Sequence, residues 1–285
     1  MSESEIIRAE GLVKRFGKLT AVDDLSLSVK RGEIYGFLGP NGAGKTTTVR
    51  MLTTMEVPDH GKIWINDLDI HSQFLDARRC IGVIQQQNSL DKDLTVKENI
   101  FHHALMQNLS VKGSKERMNE LAEVMELQDR MDTRVDKLSG GWKKRVSIVC
   151  SLIHNPDVLF MDEPTTGLDT QSRNLLWKMI RNINKQGTTI FLTTHYIFEA
   201  ESLCDRVGII NKGKLIAEGT PQELKEKVGN FALVATDPSG EDTITYHHDM
   251  ETAKKASLEV SHDCSIAIRP TNLEDVFLEI TGRKI

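Results

Sequence analysis

Several features that would point to a function are scarce or missing in this 285-residue chain. There are only four cysteines, Cys80, Cys150, Cys204 and Cys264. They lie far apart, in or beside apolar sequence, with neither metal-ligand nor redox spacing. That excludes a disulfide framework and a zinc module and predicts reduced, buried thiols. No apolar run approaches the ~18 residues needed to cross a bilayer, so any work at a membrane has to be done through a partner. The opening MSESEIIRAEG is polar and charged, which predicts no secretory leader. Positive charge is not in excess: 36 Lys and Arg face 41 Asp and Glu, a net charge of −5 with no global field to draw nucleic acid. The 3 Trp, 3 Tyr and 9 Phe are not interleaved with basic runs, which argues against a stacking platform for single strands. No nucleic-acid partner is expected. Low-complexity tracts and internal repeats are absent too.

What is present is ordinary: 39% hydrophobic and 27% charged residues, enough to bury a core without staples. The length fits roughly two domains, or one large domain with an appendage. Ile6–Leu12 and Ala21–Val29 alternate apolar and polar residues, as half-buried antiparallel strands do. The continuous apolar run Ile34–Leu38 predicts a buried strand, followed by a glycine-rich turn and a helix starting near Gly44–Lys45. Lys62–Ile65 and Cys80–Ile84 read as further strands. Between 90 and 150 the pattern turns helical. Ser114 is placed to cap a helix whose apolar face is Met118, Leu121, Ala122 and Met125, with Leu127 extending it. Strand signals return at Val158–Met161 and Thr188–Thr193, each followed by a helix, and alternation of this kind implies a parallel sheet. Val207–Ile210 and Leu215–Ala217 read as a hairpin. From about Gly229 the chain restarts with strands at Phe231–Thr236 and Thr243–Tyr246, then helix, strand and helix. Thr271 with Glu274 forms a capping box for the last helix, Leu273–Ile280.

Gly39-Pro40-Asn41-Gly42-Ala43-Gly44-Lys45-Thr46 fits the phosphate-binding loop pattern, in its expected place between an apolar strand and a helix. Glycines there let backbone N–H groups turn inward around phosphate oxygens, and the helix N-terminus adds positive potential. Lys45 then neutralises β/γ-phosphate charge, and the Thr46 hydroxyl is a ligand for Mg²⁺. Val158–Met161 followed by Asp162 and Glu163 puts two carboxylates at the C-terminal end of a buried strand, the edge where open α/β sheets bind ligands. Asp162 is the candidate Mg²⁺ ligand and Glu163 the candidate group that polarises the attacking water. Leu138-Ser139-Gly140-Gly141 precedes a helix 23 positions before Asp162, counting from Ser139, and offers a second anion site.

This order of motifs closely resembles the ATP-binding-cassette ATPases, over residues 5–228. The resemblance implies an α/β fold: a P-loop NTPase core with a mixed sheet, an N-terminal antiparallel β subdomain, a helical insertion at about 88–150, and a small C-terminal α+β appendage. Residues 1–228 would form the ATPase domain and 229–285 the accessory domain. By position, Phe16 takes the place of the residue that stacks on adenine, and Thr47 joins Thr46 among the nucleotide-binding residues. Gln86 takes the place of the glutamine near the γ-phosphate and Mg²⁺. Gln85 and Gln87 flank it, and Gln86 is preferred from the register of Ile81–Ile84. Asp169, in Gly167-Leu168-Asp169, resembles the loop that contacts an opposite subunit, and His195 resembles the switch histidine at the γ-phosphate. Ser139, Gly140 and Gly141 carry the contacts to a nucleotide bound by the partner. One departure stands out: Trp142 occupies the place of the usual glutamine.

With one copy of each motif, the chain needs a second copy of itself or another cassette to complete its ATP sites. The resemblance also implies a separately encoded membrane permease and a place on the cytoplasmic face of the membrane. Pro270–Arg283, Gln86-Gln87-Asn88, Asp93–Asn99 and Gly219-Thr220-Pro221 resemble the exporter branch that includes drug-resistance and sodium-efflux ATPases. Two other readings stay open. One is a soluble cassette ATPase of DNA repair, translation or cluster assembly; the other is a nucleotide sensor that hardly hydrolyses ATP. The pairs His102-His103 and His247-His248 read as surface or packing residues.

Overall fold

The computed structural model describes residues 4–86 and 90–282. The chain runs β1 (Glu5–Phe16), β2 (Leu19–Lys30), β3 (Ile34–Leu38), α1 (Lys45–Leu52), β4 (His60–Ile65), β5 (Leu68–Asp69), α2 (Phe74–Arg79) and β6 (Ile81–Ile84). It continues through α3 (Val96–Met106), α4 (Val111–Val124), α5 (Gly140–Leu152), β7 (Val158–Asp162), α6 (Thr170–Lys185), β8 (Thr189–Thr194) and α7 (Ile197–Leu203). The last third holds β9 (Arg206–Asn211), β10 (Lys214–Gly219), α8 (Pro221–Val228), β11 (Phe231–Thr236), β12 (Asp242–His247), α9 (Met250–Ser257), β13 (Ser265–Pro270) and α10 (Leu273–Thr281).

Three sheets result, of order β2-β1-β4-β5, β10-β9-β3-β8-β7-β6 and β12-β11-β13. The six-stranded sheet is mixed: β6 to β9 pair in parallel through β7, β8 and β3, and β10 turns back antiparallel on β9. Every residue of β3, β7 and β8 is buried, because a parallel sheet is covered on both faces. The two-residue period then sorts side chains between two cores. Tyr35, Phe37, Phe160 and Phe191 face the antiparallel sheet and α1, with Phe191 5.4 Å, 5.7 Å and 5.5 Å from the rings of Tyr35, Phe37 and Phe160. Ile34, Leu38, Leu159, Met161, Ile190 and Leu192 face the helices.

The helical stretch departs from expectation at its start. The N-cap of α4 is Ser110, whose hydroxyl accepts from Gly113 N at 3.1 Å. Ser114 is a buried interior residue that donates to the Ser110 carbonyl at 2.8 Å. Both serines satisfy the spacing, but only one in extended backbone can cap. The apolar face holds at Leu121, Ala122 and Met125, while Leu127 enters the core from beyond the helix, after Glu126 turns the chain at φ 57. The last helix is also capped one residue later than expected. Asn272 accepts from Glu274 N and Asp275 N, Asp275 returns the bond to Asn272 N, and Thr271 instead donates to the Gly229 carbonyl at 2.6 Å. Cys80 caps the end of α2 rather than opening β6.

At 228/229, Gly229 ends α8 with φ 140, and β11 to β13 with α9 form their own layer. The chain then comes back: α10 packs on α8 and α7, and its Leu273, Val276 and Phe277 join the apolar cluster that also holds Leu224 and the helical subdomain. All four cysteines are free thiols, but only Cys150 and Cys204 are buried as expected, Cys80 and Cys264 being half-buried; burial pushes Cys150 up to about 12. Among the described residues no helix is long and apolar enough to cross a membrane.

Candidate nucleotide site

The C-terminal ends of β3, β6, β7 and β8 converge on one cleft of ≈740 Å³. It is lined by Asn41, Gly42, Gly44, Lys45, Thr46 and Thr47 of the loop after β3, by Gln86 after β6, Glu163 after β7, and His195 after β8. Phe16, at the end of β1, forms its rim and is half exposed. The loop needs glycine at two positions for steric reasons. A Cβ on Gly39 would lie 2.4 Å from the Ile210 carbonyl, and one on Gly44, at φ +110, would lie 2.4 Å from the Ala21 carbonyl. Lys45, the first residue of α1, is folded back so that Nζ donates to the carbonyls of Gly39 at 2.8 Å and Pro40 at 3.1 Å.

Glu163 sits at the centre. Its Oε1 is 3.3 Å from Lys45 Nζ and 3.3 Å from His195 Nδ1, although that nitrogen lies off the hydrogen-bond direction. Its Oε2 accepts from Gln86 Nε2 at 3.3 Å and Thr166 Oγ1 at 3.2 Å. Burial raises the pKa of the Glu163 carboxyl, but the charge of Lys45 and the contact with His195 outweigh it and leave the group below the ordinary glutamate value. The group is therefore an ionised acceptor at neutral pH. Asp162, one residue back, is buried and accepts from Thr193 Oγ1 at 2.5 Å.

Of the flanking glutamines, Gln85 turns away, its Nε2 3.4 Å from Met55 Sδ. Gln87 and Asn88 lie outside the described residues. Ser139, Gly140 and Gly141 are not brought to this cleft. Ser139 is the N-cap of α5 with its side chain uncommitted, and Ser139 and Gly141 line a separate cavity between α5 and α6. Asp169 is the N-cap of α6, accepting from Ser172 N at 2.9 Å and Ser172 Oγ at 2.7 Å. Two guanidiniums pack on the Trp142 ring, with the Cζ of Arg145 and Arg130 4.4 Å and 5.4 Å from its centroid. Arg145 also donates to the Met125 carbonyl and to Glu126, so the indole anchors the start of α5 to the end of α4.

Residues that the motif pattern does not reveal include Thr166 and Lys212, both on the cleft, Thr193, and Lys144. Lys144 is buried on α5, 7% exposed, with Nζ 3.5 Å from the Gln85 carbonyl. Burial lowers its ammonium from 10.5 to about 8, against the opposing pull of Asp162 and Glu199. Its stability consequence follows from proton linkage. Between pH 8 and 10.5 the unfolded chain holds the proton and the folded chain does not, so this group makes the fold more stable as pH rises through that window. Below pH 8 the full penalty applies, roughly 3 kcal/mol by the shift. Lys144→Met is accordingly expected to raise the unfolding free energy at pH 7 by a few kcal/mol, with the gain vanishing above pH ~10.5. Urea unfolding at pH 7 and pH 10.5 reads it, and an equal gain at both would contradict it.

The oxygen donors are hard ones: the Thr46 hydroxyl and the Gln86 amide line the cleft, while the Asp162 carboxylate is buried one residue before Glu163 and is not among the lining residues. That set suits Mg²⁺, which takes few protein ligands and completes its shell with water and substrate phosphates. Among the described residues no cluster of three His, Cys, Asp or Glu marks a cage for another metal.

Comparison with known proteins agrees with this geometry. The ABC transporter family model matches residues 22–166, and that of the nodulation factor export protein NodI, C-terminal domain, matches residues 224–282. Nod factor export ATP-binding protein I of Ralstonia nicotianae is 40% identical over 315 residues, covering 100% of this chain and 96% of that protein. The solved structure of cbiO1 from Clostridium perfringens, part of the ABC transporter complex cbiONQ, superposes with a TM-score of 0.72 at 29% identity, covering 78% of this chain and 91% of that one. A dimeric ATP-binding cassette in a post-hydrolysis state bound to ADP and Pi gives 0.68 at 25% identity, covering 75% and 98%.

Proposed function

The chain belongs to the ATP-hydrolysing, ATP-binding subunits of ABC transporters, and from that premise we propose that it powers an exporter by closing on a second cassette around ATP. The observation that carries the proposal is a separation. Lys45, Gln86, Glu163 and His195 share one cleft, while Ser139, Gly140 and Gly141 are presented elsewhere. A second cassette, which we take to be another copy of this chain, brings its Ser139–Gly141 to the cleft and receives this chain's own in return. Asp169 stands beside that contact, and residues 1–228 make up the motor, with 229–285 as accessory.

In the closed pair, Phe16 stacks on adenine, and Gly39 to Gly44 turn N–H groups to the phosphates while Thr47 adds its hydroxyl. Lys45 holds the β/γ-phosphates and is thereby drawn from Glu163. Thr46, Asp162 and Gln86 are the residues that would hold Mg²⁺, which when bound offsets phosphate charge. Glu163 accepts a hydrogen bond from the attacking water and aims it in line, and His195 contacts the γ-phosphate. Most of the rate then comes from positioning and fixed charge, not covalent chemistry.

Export, not import, is proposed on likeness to the Nod factor export relatives and to the NodI C-terminal model at residues 224–282. The permease is a separate chain, and the cassette docks on its cytoplasmic face. Affinity purification from detergent-solubilised membranes tests this. A hydrophobic companion is expected to copurify and to raise the ATPase rate several-fold on reconstitution. A chain that stays membrane-free and purifies with ribosomes or DNA would contradict it.

A further inference from the structure

Two adjacent carboxylates at the end of β7 do different things. Asp162 stays inside the sheet, whereas Glu163 swings into the cleft. Glu163 does so from φ 46, the left-handed region that costs a non-glycine residue about 1 kcal/mol or more. Something must hold that turn. The strand pairing of β7 with β8 ends at Asp162↔Thr193, so the next N–H, that of Glu163, has no further ladder partner. It donates instead to Thr193 Oγ1 at 3.0 Å. The same hydroxyl donates to Asp162 Oδ1 at 2.5 Å. A hydroxyl has one proton and two lone pairs, so both bonds can be made at once. Thr193 is completely buried, so water does not substitute for it. It stands two residues before His195, so the end of β8 supplies the hydroxyl and the residue just past it supplies the imidazole beside Glu163.

We infer that Thr193 is a positioning residue for hydrolysis: its single hydroxyl fixes Asp162 within the sheet and pins the backbone turn that delivers Glu163 to the attacking water. It touches neither substrate nor water itself. The inference rests on the proposed role of Glu163. Valine matches threonine in shape but can neither donate nor accept. In Thr193→Val the Glu163 N–H and the Asp162 carboxylate lose their shared partner, and Glu163 is free to leave φ 46.

The test uses the purified full chain. Thr193→Val is expected to lower kcat roughly 10- to 100-fold, the scale of a catalytic group displaced by about an ångström. The Kd for ATP, measured in EDTA, should stay within about twofold, because Lys45 and the glycine loop are untouched. Thr193→Ser, which restores the hydroxyl, should recover kcat to within about threefold of wild type. In a Glu163→Gln background, Thr193→Val should slow the residual rate far less than it slows wild type, since only the share acting through Asp162 remains. Should the valine variant fail to fold, Thr193→Cys carries the comparison, with its weak donor giving a kcat between those of serine and wild type on one side and the Glu163→Gln variant on the other. A wild-type kcat in Thr193→Val overturns the inference, as does a serine variant as slow as the valine, or a Kd that worsens as much as kcat. If Glu163→Gln itself turns over at the wild-type rate, the role of Glu163 fails and the inference with it. Additive losses in the double variant overturn the inference alone.

Discussion

Glu163→Gln is expected to lower ATP hydrolysis by roughly 10²- to 10⁴-fold, the range of a positioned general base, with ATP affinity unchanged or improved. The amide keeps the size of the carboxylate and its hydrogen bonds from Gln86 and Thr166. It lacks the charge that attracts the proton of the water. It also removes the anion 3.3 Å from Lys45, so the ammonium meets phosphate without a competitor. Bound ATP that is not hydrolysed keeps two cassettes closed, so the variant should elute as a dimer in ATP and a monomer without it. Normal turnover would remove Glu163 from the chemistry. The pH profile carries a second sign. In the ATP-free chain burial raises the Glu163 carboxyl but Lys45 and His195 outweigh it and hold it below its ordinary 4.5, so protonation of Glu163 lowers kcat/KM, which reports the free chain, only below that pH.

Lys45→Ala is expected to weaken ATP binding by about 2–3 kcal/mol, roughly 30- to 150-fold in Kd, the value of a charge-assisted hydrogen bond removed from a dry site. Its side chain is 4% exposed, so bulk water does little to screen its charge. The substitution also strands the Gly39 and Pro40 carbonyls that Nζ now serves, and leaves the Glu163 carboxylate facing the phosphates without a cation between them. Equilibrium titration with a fluorescent ATP analogue measures the effect, and an unchanged Kd would contradict the role given to the loop.

The phosphate loop could be read directly from sequence because its glycines, lysine and threonines are contiguous, and its strand and helix announce themselves by composition. Glu163 and His195 directly follow β7 and β8, Gln86 stands two residues past β6, and parallel strands bring their C-terminal ends to one edge, but which glutamine and which histidine matter was legible only through the family resemblance. Contacts between distant segments were not legible. Nothing in the local pattern joins Thr193 to Asp162 or Lys144 to Gln85, since those pairings exist only once β7 lies beside β8 and α5 covers β6. The return of α10 to α8 is hidden for the same reason. Caps failed by smaller margins. Ser110 competes with Ser114, and Asn272 with Thr271, at equally plausible spacing, and backbone angle decides between them. Trp142 could be seen to be unusual, but not that Arg130 and Arg145 would pack on its ring.

The central claim is that a working site is built from the Lys45 cleft of one chain and the Ser139 turn of another. Mixing two inactive variants tests it most directly. Lys45→Ala spoils the cleft, and Ser139→Phe spoils the turn. In a mixed dimer, both lesions fall in one site and leave the other intact. An equimolar mixture should therefore recover roughly a quarter of the wild-type ATPase rate, half of the dimers being mixed with one working site of two. A mixture no faster than the average of its two components would contradict the account.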